Sequence, residues 1–130
     1  MTSTPQPAGS AAANLAAALD QLWTRFLPEI RNRVDLLDAA ATACAANKLS
    51  TEQRDAAQAA AHKLAGTLGT FSLDRGTDLA REFELALASE DTPCLAVANR
   101  LAELAAELRS IVDSRKDGAS PVARADSEMV

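Results

Sequence analysis

The segment Ala59–Phe71, with the sequence AAAHKLAGTLGTF, contains the single histidine of the chain, His62, and two of its five glycines, Gly66 and Gly69. A glycine inside a helix costs roughly 1 kcal/mol relative to alanine. Two glycines in one helix therefore indicate that short side chains are needed on its surface. The fold around this segment depends on which side of the helix faces the core.

A helix through this segment, at about 100° per residue, has an apolar face centred on Leu64. The other members of that face are Gln53, Ala57, Ala60, Ala61, Leu68 and Phe71. His62 lies about 160° from Leu64, on nearly the opposite side. Its neighbours there are Asp55, Gln58, Ala59, Gly66 and Gly69. The sequence thus predicts an imidazole that points away from the core, over a surface of short side chains.

The composition of this 130-residue chain is typical of one all-α domain. Alanine and leucine dominate its hydrophobic residues, and no run of alternating polar and apolar residues supports a strand. Five helices are predicted, at residues 11–25, 28–47, 51–71, 72 or 74 to 89, and 93–113. Ser10 and Ser50 are the predicted N-caps of the first and third helices, and Pro28 and Pro93 open the second and fifth.

The first helix is expected to face the core through a stripe of apolar side chains at helical spacing, with Trp23 beside it. That stripe consists of Leu15, Leu19, Leu22 and Phe26. Residues 1–10 and 115–130 are polar and contain proline and glycine, so they are predicted to be flexible tails. The short links between the helices favour antiparallel neighbours.

Charge and hydropathy exclude several classes of partner. The net charge of −5 argues against nucleic acid, and no apolar run is long enough to span a bilayer. Residues 1–10 lack the basic and apolar regions of a secretory signal, so a cytoplasmic protein is expected. Cys44 and Cys94 are isolated in sequence, and with one histidine they cannot form a standard zinc site. We expect them to be small hydrophobic residues that are buried or half-buried.

The usual catalytic motifs are missing from the sequence. There is no nucleophile elbow and no phosphate-cradling loop, and Ala59 stands where a dicarboxylate metal bundle would place a glutamate before its histidine. We therefore expect neither an enzyme nor a resident cofactor or metal. His62 nevertheless shares its face with two glycines, and Lys63 beside it could contribute positive charge next to a phosphoryl group.

Two segments, His62–Phe71 and Leu79–Glu84, resemble those of histidine-containing phosphotransfer (HPt) domains. The shared pattern is a histidine, a small residue four positions later, a turn, and an amphipathic helix that begins Leu-Ala-Arg-Glu. Through the helical layout, the likeness extends over residues 11–114. It implies an all-α fold, an antiparallel up-down four-helix bundle with an additional N-terminal helix.

The resemblance also implies a function, that of a phosphorelay intermediate in two-component signalling. His62 would accept a phosphoryl group from a receiver aspartate or a histidine kinase and pass it on, with the partner catalysing the transfer and the receiver binding Mg²⁺. The implied partners are a response-regulator receiver domain, a histidine kinase, or both, with the chain itself a monomer.

The resemblance assigns supporting roles to four residues. Gly66 would leave room beside the imidazole, Lys63 would help to balance the phosphate charge, and Glu84 would place a polar side chain near the ring. Gly69 would keep the docking surface smooth. Many family members carry a lysine three positions after the histidine, where this chain has Ala65. The alternative is a helical bundle that binds a protein partner without phosphorylation.

Overall fold

The structure, a computed structural model, describes residues 8–88 and 93–115, which form four α-helices and no strand. The helices are α1 (Ala8–Ala45), α2 (Thr51–Thr70), α3 (Asp74–Ala88) and α4 (Cys94–Ser114). Helices α1 and α3 each pack against both α2 and α4, so the four helices enclose one core. The predicted all-α bundle is confirmed. Within the described residues, no helix is long and apolar enough to cross a membrane.

The predicted break at Pro28 is wrong, because α1 runs through it as one helix of 38 residues. The additional N-terminal helix is therefore not separate, and Ser10 lies inside α1 instead of capping it. A proline inside a helix removes one hydrogen bond and crowds the carbonyl of the residue four positions before it, here Thr24. Pro28 is exposed, so water can reach that carbonyl, while Trp23 and Ile30 on either side are both fully buried.

The face of α1 that meets the core also differs from the predicted one. Leu15, Leu22 and Phe26 are 62%, 38% and 43% exposed. The buried side chains of α1 follow a spacing of three and four residues that continues across Pro28. They are Trp23, Ile30, Val34, Leu37, Ala41 and Cys44, with Ala40 beside them. Because α1 is a single helix, the same side of it faces the core along its whole length. The longer stripe of buried residues determines which side that is.

An aromatic cluster closes one end of the core. The rings of Trp23 and Phe71 meet edge to face with centroids 5.1 Å apart. The guanidinium of Arg115 lies over both rings, at 5.2 and 5.4 Å, and donates a hydrogen bond to Asp20 Oδ1 at 3.1 Å. Arg115 thus packs on the bundle, although it was assigned to the tail at 115–130. The rest of that tail and residues 1–7 lie outside the described residues, whereas residues 8–10 belong to α1.

Local hydrogen bonds and backbone conformation mark the start and end of α2 and the end of α1. The amide of Gln53 donates to Ser50 Oγ at 3.0 Å, which confirms the predicted N-cap of α2. Asn47 and Ser72 follow α1 and α2 in the left-handed conformation, with φ of 57° and 59°. After Ser72, the amide of Leu73 donates back to the Leu68 carbonyl at 2.9 Å, the pattern of a Schellman motif. The chain therefore reverses within three residues between α2 and α3.

Cys44 and Cys94 form a disulfide between the end of α1 and the start of α4. Their Cα atoms are 5.1 Å apart, and Cys44 is fully buried. The prediction that both cysteines are merely buried hydrophobic residues is therefore wrong. Residues 50 positions apart in sequence gave no local signal of this pairing, because helix packing alone brings them together.

We expect reduction of this disulfide to lower the free energy of unfolding by about 4 kcal/mol, since the bond closes a loop of 50 residues. Urea denaturation followed by circular dichroism, with and without a thiol reductant, measures the effect. In the double variant Cys44→Ala, Cys94→Ala the midpoint should not respond to the reductant. A wild-type midpoint that is equally insensitive would contradict the prediction.

Candidate functional site

His62 projects outward from the middle of α2, as its position on the helical wheel predicted. Its side chain is 77% exposed, whereas Leu64 and Ala61 are fully buried. The apolar face of α2 meets the core through these residues and through Leu68. Since the two faces of one helix are separated in this way, burial of the Leu64 face directs the imidazole into solvent.

Glu84 of α3 lies directly across from the imidazole. Its Oε2 is 3.2 Å from Nδ1 of His62, and its side chain is 32% exposed. The structure thus places Glu84, a polar side chain, near the ring, where the resemblance implied one. This contact does not have the geometry of a hydrogen bond, so Glu84 acts on Nδ1 through its charge alone. Among the described residues, no hydrogen bond engages Nε2.

The two helices form a groove of about 870 Å³ around His62, which we call the His62 groove. Half of the residues that line it have short or apolar side chains. Those residues are Ala59, Ala65, Gly66, Leu85 and Ala88. Leu85 is 70% exposed, a large apolar side chain left in water beside the imidazole. The polar residues of the groove are Gln58, His62, Lys63, Arg81 and Glu84.

Arg81 is a member of the groove that the sequence analysis did not single out. It lies three residues before Glu84 on α3, so the two side chains share one face of that helix. Leu85 and Ala88 continue the same face at helical spacing. That spacing was visible in the sequence, but only the pairing of α2 with α3 shows that the face borders His62.

The two glycines of α2 have different surroundings. A Cβ added at Gly66 would meet no atom within 4 Å, so this glycine keeps open space in the His62 groove. A Cβ at Gly69 would lie 3.4 Å from Thr77 Oγ1, and Gly69 does not line the groove. The structure therefore places Gly69 at the contact with α3, away from the imidazole.

Lys63 and Arg81 are the cations that line the groove. The lysine that many family members carry three positions after the histidine is replaced here by Ala65. Ala65, at that position, is only 6% exposed, and its carbonyl accepts a hydrogen bond from Thr77 Oγ1 at 3.0 Å. Neither Lys63 nor Arg81 forms an ion pair or hydrogen bond with another described residue. Both cations are therefore available to an anion that enters the groove.

Comparison with known proteins assigns the family. A family model described as Hpt domain matches residues 21–113, which span all four helices. The chain belongs to the Hpt domain family. It is also 38% identical over 68 residues to Protein RcaC of Microchaete diplosiphon, an alignment that covers 52% of this chain and 10% of that protein. The aligned half of this chain thus spans only about a tenth of RcaC, and no solved structure matches this chain significantly.

Hpt domains carry phosphoryl groups in two-component signalling, and membership gives this chain a role in phosphotransfer. The groove of this Hpt domain contains one imidazole, one carboxylate and two free cations. The described residues include no cluster of three or more His, Cys, Asp or Glu side chains that could hold a metal ion.

Gly66 and Gly76 should respond in opposite ways to an added methyl group. Gly66→Ala should raise the free energy of unfolding by up to about 1 kcal/mol, because its Cβ meets nothing and alanine favours helix. Gly76→Ala should lower it by about 1 kcal/mol, because its Cβ would lie 2.8 Å from Cδ1 of the buried Leu68. Urea denaturation measures both. A destabilised Gly66→Ala protein would contradict the open space assigned to that position.

Proposed function

We propose that this Hpt domain is a phosphorelay intermediate in which Nε2 of His62 accepts a phosphoryl group and later surrenders it. The observation that carries the proposal is the exposed imidazole whose Nδ1 lies 3.2 Å from Glu84 Oε2. A neutral imidazole is a good nucleophile near physiological pH. The charge of the Glu84 carboxylate, 3.2 Å from Nδ1, favours a proton on that nitrogen and leaves Nε2 to react.

The transfer needs no proton acceptor on this chain. The Nε2 lone pair attacks the phosphorus of an aspartyl phosphate, the bond from phosphorus to the carboxyl oxygen breaks, and the aspartate leaves with the electron pair as a carboxylate. The charge that develops on the oxygens of the phosphoryl group must be stabilised throughout, and alignment supplies most of the rest. Passing the group on reverses the same steps.

The partner we propose is a response-regulator receiver domain, a histidine kinase, or both, with Mg²⁺ bound by the receiver. The short walls of the His62 groove support this, because an aspartyl phosphate must come within bonding distance of Nε2. The exposed Leu85 offers apolar surface at the edge of such a contact. Under this proposal, the chain carries the phosphoryl group and is not an enzyme in its own right. Its monomeric state and cytoplasmic location stay predictions.

Substitution His62→Gln should abolish phosphoryl uptake and leave the helical content unchanged, since the side chain lies outside the core. The protein is incubated with ³²P-labelled receiver domain, or with phosphoramidate as a small donor, and the bound label is counted. The wild-type label should be labile to acid and stable to base, as expected for phosphohistidine.

Equal labelling of His62→Gln and wild type would refute the assignment of the acceptor. No labelling of the wild type by phosphoramidate or by any receiver domain from the same genome would favour the alternative. That alternative is a helical bundle that binds its partner without phosphorylation.

A large side chain at Gly66 should separate docking from chemistry. Gly66→Gln should slow transfer from a phosphorylated receiver at least about ten-fold, because the side chain occupies the open space beside the imidazole. Labelling by phosphoramidate, a far smaller donor, should fall much less. Rapid-quench assays measure both rates. Unchanged transfer from the receiver would remove the steric explanation for this glycine.

A further inference from the structure

The His62 groove contains a carboxylate that is unfavourable for a phosphorylated histidine. Glu84 lies 3.2 Å from the ring, and a phosphoryl group on the imidazole would bring a charge of about −1.5 to −2 into the same groove. Repulsion between the two anions would disfavour the phosphorylated state. Positive charge in the groove must offset that repulsion, and Ala65 supplies none.

Two cations border the groove, and they stand on different helices. Lys63 follows His62 on α2, so its direction from the axis differs from that of the imidazole by about 100°. Arg81 stands on α3, three residues before Glu84, on the face that looks across at His62. Arg81 is therefore placed opposite the imidazole, on the same helix face as the carboxylate whose charge must be offset.

Arg81 also differs from most of the described arginines, because no described residue pairs with its guanidinium. The described arginines that contact a carboxylate or a carbonyl are Arg31, Arg33, Arg54, Arg75, Arg100, Arg109 and Arg115. Arg81 and Arg25 have no such contact within the described part of the chain. Arg25 lies on α1 and does not line the His62 groove. An arginine left without a partner beside the nucleophile is available for an incoming anion.

We infer that Arg81 binds the oxygens of the phosphoryl group on His62, and so supplies from α3 the positive charge that Ala65 cannot supply from α2. This inference rests on the proposed function. The planar guanidinium presents several N–H donors in a geometry that matches phosphate oxygens, and it stays charged at all physiological pH values. Lys63 contributes charge at the rim as a second, more mobile cation.

The phosphoryl group itself reports the charge around it. A nearby cation favours its dianionic form and lowers its second pKa, so the ³¹P chemical shift of phosphohistidine, followed against pH, measures the contribution of Arg81. The 130-residue chain is loaded with phosphoramidate, and the variants Arg81→Gln, Arg81→Lys and Arg25→Gln are compared with the wild type. Arg25→Gln removes the same charge from a site outside the groove.

Arg81→Gln should raise the second pKa of the phosphoryl group by about 0.5, the size expected for one exposed ion pair. Arg81→Lys should retain most of the wild-type value, and Arg25→Gln should match the wild type. At 1 M salt the difference between Arg81→Gln and wild type should shrink, because an exposed pair is screened. A purely structural role of Arg81 would not produce this dependence on charge and salt.

Two outcomes would overturn the inference, and they are distinguishable. If the wild type is phosphorylated and Arg81→Gln titrates as Arg25→Gln does, Arg81 does not bind the phosphoryl group, while the proposed function stands. If neither phosphoramidate nor a phosphorylated receiver labels the wild type, the proposed function fails and the role of Arg81 fails with it.

Discussion

The close contact between α2 and α3 determines the geometry on which the site depends. Gly76 lies against Leu68, where even a Cβ would be too close, and Thr77 Oγ1 donates to the Ala65 carbonyl at 3.0 Å. Ala65 and Leu68 lie three and six residues after His62 on α2, within two turns of it, so these contacts set the separation across which its ring meets Glu84. With bulkier residues at this contact the helices would stand further apart, and a 3.2 Å approach between Nδ1 and Oε2 would be lost.

The site combines an exposed imidazole with few other functional groups. One nitrogen of the imidazole faces a carboxylate, and no described residue forms a hydrogen bond with the other. Alanine and glycine contribute four of the ten residues that line the groove. Such an arrangement suits the proposed carrier role, in which the partner would supply alignment and metal and this chain an accessible nucleophile. In the role inferred for Arg81, this chain also offsets the negative charge of the phosphoryl group next to Glu84.

The parts of the fold that sequence predicted depend on local rules. Helical periodicity placed His62 opposite Leu64, and Ser50 was recognisable as a cap because it stands three residues before Gln53. The errors concern long-range packing. Pro28 ordinarily begins a helix, but tertiary burial on both sides of it overrides that preference in α1. The position of Arg81 near His62 and the pairing of Cys44 with Cys94 both depend on which helices pack together. The sequence of a single segment does not contain that information.

We propose that Nε2 of His62 accepts the phosphoryl group, with the charge of Glu84 favouring the proton on Nδ1. Two-dimensional ¹H–¹⁵N spectra of the imidazole, recorded before and after loading with phosphoramidate, test it most directly. The account predicts the Nδ1–H tautomer in the neutral free protein and a one-bond coupling between ³¹P and Nε2 in the loaded protein. A coupling to Nδ1, or a free protein with its proton on Nε2, would contradict it.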